Sequence, residues 1–287
     1  MHSNTRLRLL LLLAAALPLA TRLRADDISH QYEGSYGAYP ALSAYAFEIF
    51  HNLKYVEASQ QTGSGSNTAV HACFFGLPVP LPSTPPKPTT LSSAGGQSQI
   101  QGANANGVAV GTAQTSSSTT APYHACSWTP PASLSSTSFK PATTSTTWTF
   151  TAFESLPGTT TSVANGINAG GVAVGVDYTS NAQDAVMWDA NGNISDLNDL
   201  DNNSTLKLMQ ANAINDSGQI VGEAQDVNGF TAFLYENGTD TDLGSLGGGG
   251  SQAYGINNSG QIVGQSNTAD SQTHAFLYEN GNMTDLG

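Results

Sequence analysis

The sequence predicts an all-β protein, a β-propeller built from about five four-stranded repeat units, and three observations predict it. A Gly- and Asn-containing segment recurs at a near-constant spacing. Each copy is followed by two further short apolar elements in the same order. Tight-turn residues separate these elements, and residues 46–287 show no sustained helical periodicity.

The recurring segment is clearest at Ala164-Asn165-Gly166-Ile167-Asn168-Ala169-Gly170-Gly171-Val172-Ala173-Val174-Gly175. It returns at Ala211–Gly222 and Ala253–Gly264, and in a weaker form at Gly102–Gly111. A first copy is worn: Ala46-Phe47-Glu48-Ile49 and Lys54-Tyr55-Val56 keep the apolar positions and lose the Asn and Gly. The second element reads His71-Ala72-Cys73-Phe74, His124-Ala125-Cys126-Ser127-Trp128, Asp184-Ala185-Val186-Met187-Trp188, Thr231-Ala232-Phe233-Leu234-Tyr235 and His274-Ala275-Phe276-Leu277-Tyr278. The third begins at Thr89, Thr151, Ser195, Thr241 and Thr284, spaced by 62, 44, 46 and 43 residues. The variation therefore sits in the loops of the second unit.

Turn chemistry gives each unit four strands. Asn215-Asp216-Ser217-Gly218 and Asn257-Asn258-Ser259-Gly260 join the first pair, and Asn191-Gly192, Asn237-Gly238 and Asn280-Gly281 join the last pair. Asn-Gly supplies the positive φ angles that a two-residue hairpin needs. Gly95-Gly96 and Gly247-Gly248-Gly249-Gly250 are expected to link one unit to the next. Four antiparallel strands per 40–50 residues is the blade of a propeller, and a lone four-stranded sheet cannot cover both its faces, so neighbouring blades must cover each other. The chain ends at Leu286-Gly287, where the other units run on, so the fifth unit is either a complete blade or one truncated before further blades.

The N-terminus reads differently. Arg6 and Arg8 precede the apolar run Leu9–Ala20, which is too short for the roughly 20 residues of a membrane-spanning helix. Residues 1–25 are expected to be a signal peptide, with the mature chain starting near Asp26; an N-terminal anchor is the alternative. Residues 26–45, with Tyr32, Tyr36, Tyr39 and Tyr45, form a separate segment that could supply a closing strand ahead of the repeat domain at 46–287. The expected location is secreted or at the cell surface, with the periplasm also open.

Charge narrows the partners. The four arginines lie in residues 1–25, which leaves Lys54, Lys87, Lys140 and Lys207 to face 21 acidic residues. Such a surface cannot neutralise rows of phosphate, so nucleic acid and anionic membrane are excluded as partners. The stretch from Glu57 to Glu154 holds no other acid and is rich in Ser and Thr, as at Thr115–Thr120 and residues 132–147, which reads as long loops.

At His274-Ala275-Phe276-Leu277-Tyr278, together with Gly255–Gly264 and Met283–Gly287, the sequence resembles the bacterial extracellular HAF-repeat family. The last two units match well, the third moderately, and the first two only at apolar and Gly positions. The resemblance implies an exported bacterial protein with a propeller fold and implies no catalytic residue or substrate.

Candidate chemistry is sparse. His71, His124 and His274 share a repeat position where Asp184 and Thr231 also occur, so a hydrogen-bonding role at the strand start outweighs a metal ring. His30 and His51 carry no ligand spacing. Asp196, Asp199 and Asp201, beside Asn202 and Asn203, are the densest carboxylates and the candidate Ca²⁺ ligands. The EF-hand spacing fails, because a loop starting at Asp189 has Ile194 at the Gly position and Leu200 at the final acid position; a solvated turn is the competing reading. The aspartates of the Thr-Asp-Leu elements, Asp242 and Asp285 with Asp196, are read as turn caps. Cys73 and Cys126 stand where Phe233 and Phe276 stand, which makes them core residues, with a disulfide left open. No Gly-x-Ser-x-Gly elbow or unique carboxylate pair is present, and no cofactor is expected beyond that Ca²⁺. The expected function is non-enzymatic binding or scaffolding outside the cell, the partner being a glycan or another extracellular protein. Trp128, Trp148 and Trp188 are candidate glycan contacts, with core packing favoured for Trp128 and Trp188. A polysaccharide hydrolase or lyase and a structural matrix protein are the alternatives.

Overall fold

The structure, a computed structural model, describes residues 96–118, 120–130, 148–201 and 206–287, together with the backbone of strands at 44–49, 55–62, 69–76 and 89–90. The expected leader at 1–25, most of the segment at 26–45, the loop at 132–147, Asn202, Asn203, His30, His51 and the side chains of His71 and Cys73 lie outside the described residues.

Among the described residues, twenty strands form five four-stranded antiparallel sheets, each a simple meander. Blade 1 holds β1 (Ala44–Ile49), β2 (Tyr55–Thr62), β3 (Ala69–Gly76) and β4 (Thr89–Thr90). Blade 2 holds β5 (Ser98–Ala103), β6 (Ala109–Gln114), β7 (Tyr123–Thr129) and β8 (Thr149–Ala152). Blade 3 holds β9 (Thr159–Ile167), β10 (Ala173–Thr179), β11 (Gln183–Trp188) and β12 (Ile194–Asp196), followed by a one-turn helix, α1 (Leu197–Leu200). Blade 4 holds β13 (Lys207–Ile214), β14 (Ile220–Gln225), β15 (Phe230–Glu236) and β16 (Thr239–Asp242). Blade 5 holds β17 (Gly247–Ile256), β18 (Ile262–Thr268), β19 (Thr273–Glu279) and β20 (Asn282–Asp285).

The first strands of blades 3, 4 and 5 each lie against the first, second and third strands of the preceding blade, and the fourth strands make no comparable approach. First strands are therefore innermost and fourth strands lie at the rim, which is the fan of a β-propeller.

A bulge and a glycine explain how the inner edge packs. In every first strand the ladder skips one residue: Phe47, Gln101, Asn165, Asn212 and Tyr254 have no direct partner on the second strand. The extra residue bends the strand and tucks a carbonyl over its neighbour. A Cβ at Gly111, Gly175, Gly222 or Gly264 would sit 2.0, 1.9, 1.9 or 2.1 Å from the carbonyl oxygens of Gln99, Val163, Gln210 and Gln252. In blades 2 to 5 the repeated glycine of the second strand thus answers the close approach of the bulged strand's carbonyl.

The core lies between blades. Val110 and Ala125 of blade 2 pack with Ala164, Ala173, Val186 and Trp188 of blade 3. Val221 and Ala232 of blade 4 pack with Ala253, Ile262 and Phe276 of blade 5. Small residues on one side receive large ones from the other, and full burial of Phe233 or Phe276 stabilises by about 1.5–3 kcal/mol each. Cys126 joins this core as a buried free thiol in the register of Phe233 and Phe276, with burial pushing its pKa up.

The hairpins follow the predicted chemistry. Asn237-Gly238 and Asn280-Gly281 take positive φ at both residues. At Asn191-Gly192 only the glycine does, because Asp189 holds that turn through Oδ1 bonds from the Asn191 and Asn193 amides. The Gly247–Gly250 run differs from expectation. It is the start of β17 rather than a link, with the register shifting between Gly247 and Ser251.

Two glycines separate the two constraints. Gly222→Ala is expected to destabilise by about 2 kcal/mol through overpacking. Gly218→Ala, whose φ is +81° in open space, should cost about 1 kcal/mol by conformation alone. Urea denaturation of both variants measures the difference.

Candidate functional site

Antiparallel order puts the first-to-second and third-to-fourth turns at one end of the blades. The second-to-third turns and the blade-to-blade links lie at the other end. The candidate site is at this second end, a cleft of about 410 Å³ between blades 4 and 5. One wall is the end of β14 and the β14–β15 turn, with Glu223, Asn228 and Phe230. The other wall is the ends of β17 and β18, with Gln252, Gln265 and Asn267.

Local sequence shapes each wall. In the Asp226–Gly229 turn, Asn228 Nδ2 donates to Asp226 Oδ2 at 2.9 Å and Asp226 Oδ1 accepts from the Asn228 and Gly229 amides at 2.7 and 2.8 Å. The side-chain bond first, and then the backbone bonds, hold its carboxyl below the ordinary range. That turn presents Val227 and Phe230 to solvent, 99% and 51% exposed. Gly249 and Gly250 leave their own stretch of the opposite wall without side chains, and a Cβ at Gly249 would meet nothing within 4 Å. Asn267 Nδ2 donates to the Gly249 carbonyl and Thr273 Oγ1 donates to Asn267 Oδ1, so this amide is fixed in place.

Glu223 is the one acidic side chain on the cleft wall. Its Oε2 accepts from Gln252 Nε2 at 3.0 Å, and Gln252 Oε1 accepts from Tyr254 Oη at 2.7 Å. Burial raises the Glu223 carboxyl above the ordinary glutamate value, and the same carboxylate adds to a rise at Tyr178 of blade 3 that burial dominates. The arrangement offers fixed amides, one carboxylate and an exposed aromatic ring around a concave space, which suits an uncharged polar ligand.

The predicted positions fall elsewhere. The shared His/Asp/Thr position makes a local pair in each described blade: His124 Nδ1 lies 3.2 Å from Ser155 Oγ, and His274 Nδ1 lies 2.9 Å from Asp285. Thr231 Oγ1 donates to Asp242 and Lys207 Nζ donates to Asp184. The Asp184 pair crosses from blade 3 to Lys207 of blade 4, and the pairs are anchored on separate blades. His124, Ser155 and the buried Asp177 come near one another without forming a triad. Asp177 instead accepts from Thr159 Oγ1 at 2.6 Å and from the Leu156 amide at 3.3 Å, and burial raises its carboxyl above the ordinary aspartate value.

The candidate Ca²⁺ ligands are not brought together as a cage. Asp196 Oδ1 caps α1, accepting from the Asn198 amide and Nδ2 at 2.9 and 2.8 Å, while Asp199 is exposed in the helix and Asp201 follows it. Among the described residues no group of three or more His, Cys, Asp or Glu is arranged to hold a metal ion. Asp242 and Asp285 accept from the amides of Gly244 and Gly287 two residues on, as Asp196 does from Asn198. Trp128, Trp148 and Trp188 are all buried, so none of them offers a face to a glycan. Trp188 Nε1 donates to the Glu154 carbonyl at 2.8 Å and its ring stacks on Phe153. Phe230 and the cleft amides were not singled out from sequence; the available signal was Thr231 in place of the repeat's His, directly after Phe230.

Glu223 gives a pH test. A carboxyl raised by burial favours the folded state when neutral, so its contribution is present at low pH and lost as pH rises through the folded value. Glu223→Gln is therefore expected to melt at or above the wild-type temperature at neutral pH, the gap closing below the ordinary glutamate range. Thermal melts of both proteins across pH measure this.

None of the curated proteins matches the chain. Among solved structures it is similar to the β-propeller domain of the trilobed protease from Pyrococcus furiosus, at 9% identity and a TM-score of 0.35, over 85% of this chain and 95% of that one. Residues 125–286, the second half of blade 2 through blade 5, match the family described as "Protein of unknown function (DUF3466)", and the chain belongs to that family.

Proposed function

We propose that the protein is an exported, non-enzymatic binding module of the extracellular HAF-repeat kind, and that the cleft between blades 4 and 5 takes an uncharged glycan. The observation that carries this reading is the exposed Phe230 ring beside Asn228, Gln252, Gln265 and Asn267 in one concave space. A ring face covers the apolar side of a pyranose, and fixed amides and a carboxylate serve its hydroxyls. The acidic chain repels anionic polymers, which supports a neutral ligand, and the leader-like residues 1–25 support a location outside the cytoplasm. A glycosidase needs two carboxylates across one site, and Glu223 stands alone on the cleft wall, so binding rather than hydrolysis is the reading favoured.

A thermal-shift screen against neutral and anionic polysaccharides tests this. A neutral glycan at 100 times its Kd should stabilise the protein by about 2.7 kcal/mol. Phe230→Ala should weaken that glycan by about tenfold or more while keeping a cooperative melt, as removal of an aromatic anchor does. The absence of any shift, or a shift unchanged in Phe230→Ala, would remove the cleft as a glycan site; release of sugar products would replace the binding module with the hydrolase or lyase.

A further inference from the structure

The bulge position of the first strand changes character in blade 5. The amides Gln101, Asn165 and Asn212 hold it in blades 2 to 4. Asn165 and Asn212 use it to donate to the Ala211 and Ala253 carbonyls of the following blade, at 2.9 and 2.7 Å. Blade 5 has Tyr254 there, 38% exposed. Its side chain leans back along β17 toward the cleft: Tyr254 Oη donates to Gln252 Oε1 at 2.7 Å, and Gln252 Nε2 donates to Glu223 Oε2 at 3.0 Å. Gln252 and Glu223 both line the cleft, so the tyrosine ring ends a bonded row that starts on the cleft wall.

Phe230 stands at the other end of the same space. A Cβ on Gly250 would lie 3.7 Å from the Phe230 carbonyl oxygen, which places Phe230 beside β17 four residues before Tyr254. Four residues of bulged strand span roughly 10–13 Å at about 3.3 Å per residue, more than the width of one pyranose ring. Two exposed rings therefore bracket the cleft amides and the one carboxylate.

We infer that Tyr254 is a second sugar platform, so that the cleft takes consecutive units of a neutral, linear glycan rather than a single terminal sugar. This rests on the glycan reading of the cleft. The two rings cover apolar sugar faces at either end, and Glu223, Gln252 and Gln265 serve the hydroxyls between them. The bond to Gln252 holds the Tyr254 side chain in place before the ligand arrives, which lowers the ordering cost of binding.

The test is isothermal titration calorimetry of the whole chain with neutral gluco- and manno-oligosaccharides of one to six units. Affinity should rise about tenfold or more between the single sugar and the chain that reaches both rings, and then level off. Tyr254→Ala should remove that rise and leave the single sugar within about twofold, while Phe230→Ala should weaken every length. Tyr254→Phe keeps the ring and should keep most of the rise. Should Tyr254→Ala lose its cooperative melt, the wild-type length profile decides. A wild-type affinity equal at every length would overturn the second platform and leave the cleft standing. So would a loss in Tyr254→Ala equal at every length, which would make the tyrosine a positioning residue for Gln252. Absence of binding at any length would remove the cleft as a glycan site and the platform with it.

Discussion

The asparagine that follows the first strand in blades 2 to 5 is the contact on which the rest of the blade assembly depends. Asn104, Asn168, Asn215 and Asn257 hold one repeat position, and each uses both ends of its amide. The oxygen closes its own hairpin: Asn215 Oδ1 accepts from the amides of Ser217 and Gln219, and Asn257 Oδ1 from those of Ser259 and Gln261. In Asn104, Asn168 and Asn215 the nitrogen also crosses to the next blade. Asn104 donates to the Asn168 carbonyl, Asn168 to that of Asn215, and Asn215 to that of Asn257, at 2.9, 3.3 and 3.0 Å. Each such bond contributes only about 0.5–1.5 kcal/mol net, but leaving the buried donor or carbonyl unmet costs about 1–3. The turn geometry and the spacing between blades are therefore set by one side chain.

The bulge extends the same logic one turn down the strand. Because the ladder skips Asn165 and Asn212, these residues reach the following blade, donating to the carbonyls of Ala211 and Ala253 at 2.9 and 2.7 Å. Close approach is allowed there by small residues: a Cβ on Gly102 would lie 2.9 Å from the Asn165 carbonyl oxygen, and one on Gly166 would lie 3.3 Å from that of Asn212. Backbone meets backbone at the inner edge, and the large side chains Trp188, Phe233 and Phe276 fill the wider space further out. The small-to-large taper of each repeat is the taper of a wedge-shaped blade. The candidate cleft is left to the opposite end, where repeat constraints are weak and Phe230 and Val227 can stand in solvent.

The fold was legible because its determinants recur. Asn, Gly and the Asn-Gly turns each answer a local backbone demand, and repetition made those demands visible without any structure. The first unit was read only through its apolar residues, and the structure explains part of that wear: Ala58 holds the second-strand register that Gly264 holds in blade 5. The Gly247–Gly250 run was misread as a link because glycine favours turns, whereas here it lines an open strand start facing a cleft. The site was hardly legible. Its residues come from two blades, Glu223 and Phe230 on one and Gln252 and Asn267 on the other, and no motif joins them. The tryptophans and the aspartates near residue 200 drew notice by composition, but burial occupies the tryptophans and local bonds from Asn198 occupy Asp196.

The most direct test of the central contact is Asn215→Asp, followed by urea denaturation. The substitution keeps an oxygen to accept from the Ser217 and Gln219 amides and removes the donor that reaches the Asn257 carbonyl and Gln219 Oε1; Gln219→Ala measures the second bond separately. A loss of about 1–3 kcal/mol, approaching that of Asn215→Ala, is the predicted result, since most of the cost lies in the bond between blades. An Asn215→Asp protein as stable as the wild type, beside a destabilised Asn215→Ala, would show that the asparagine serves only its own turn.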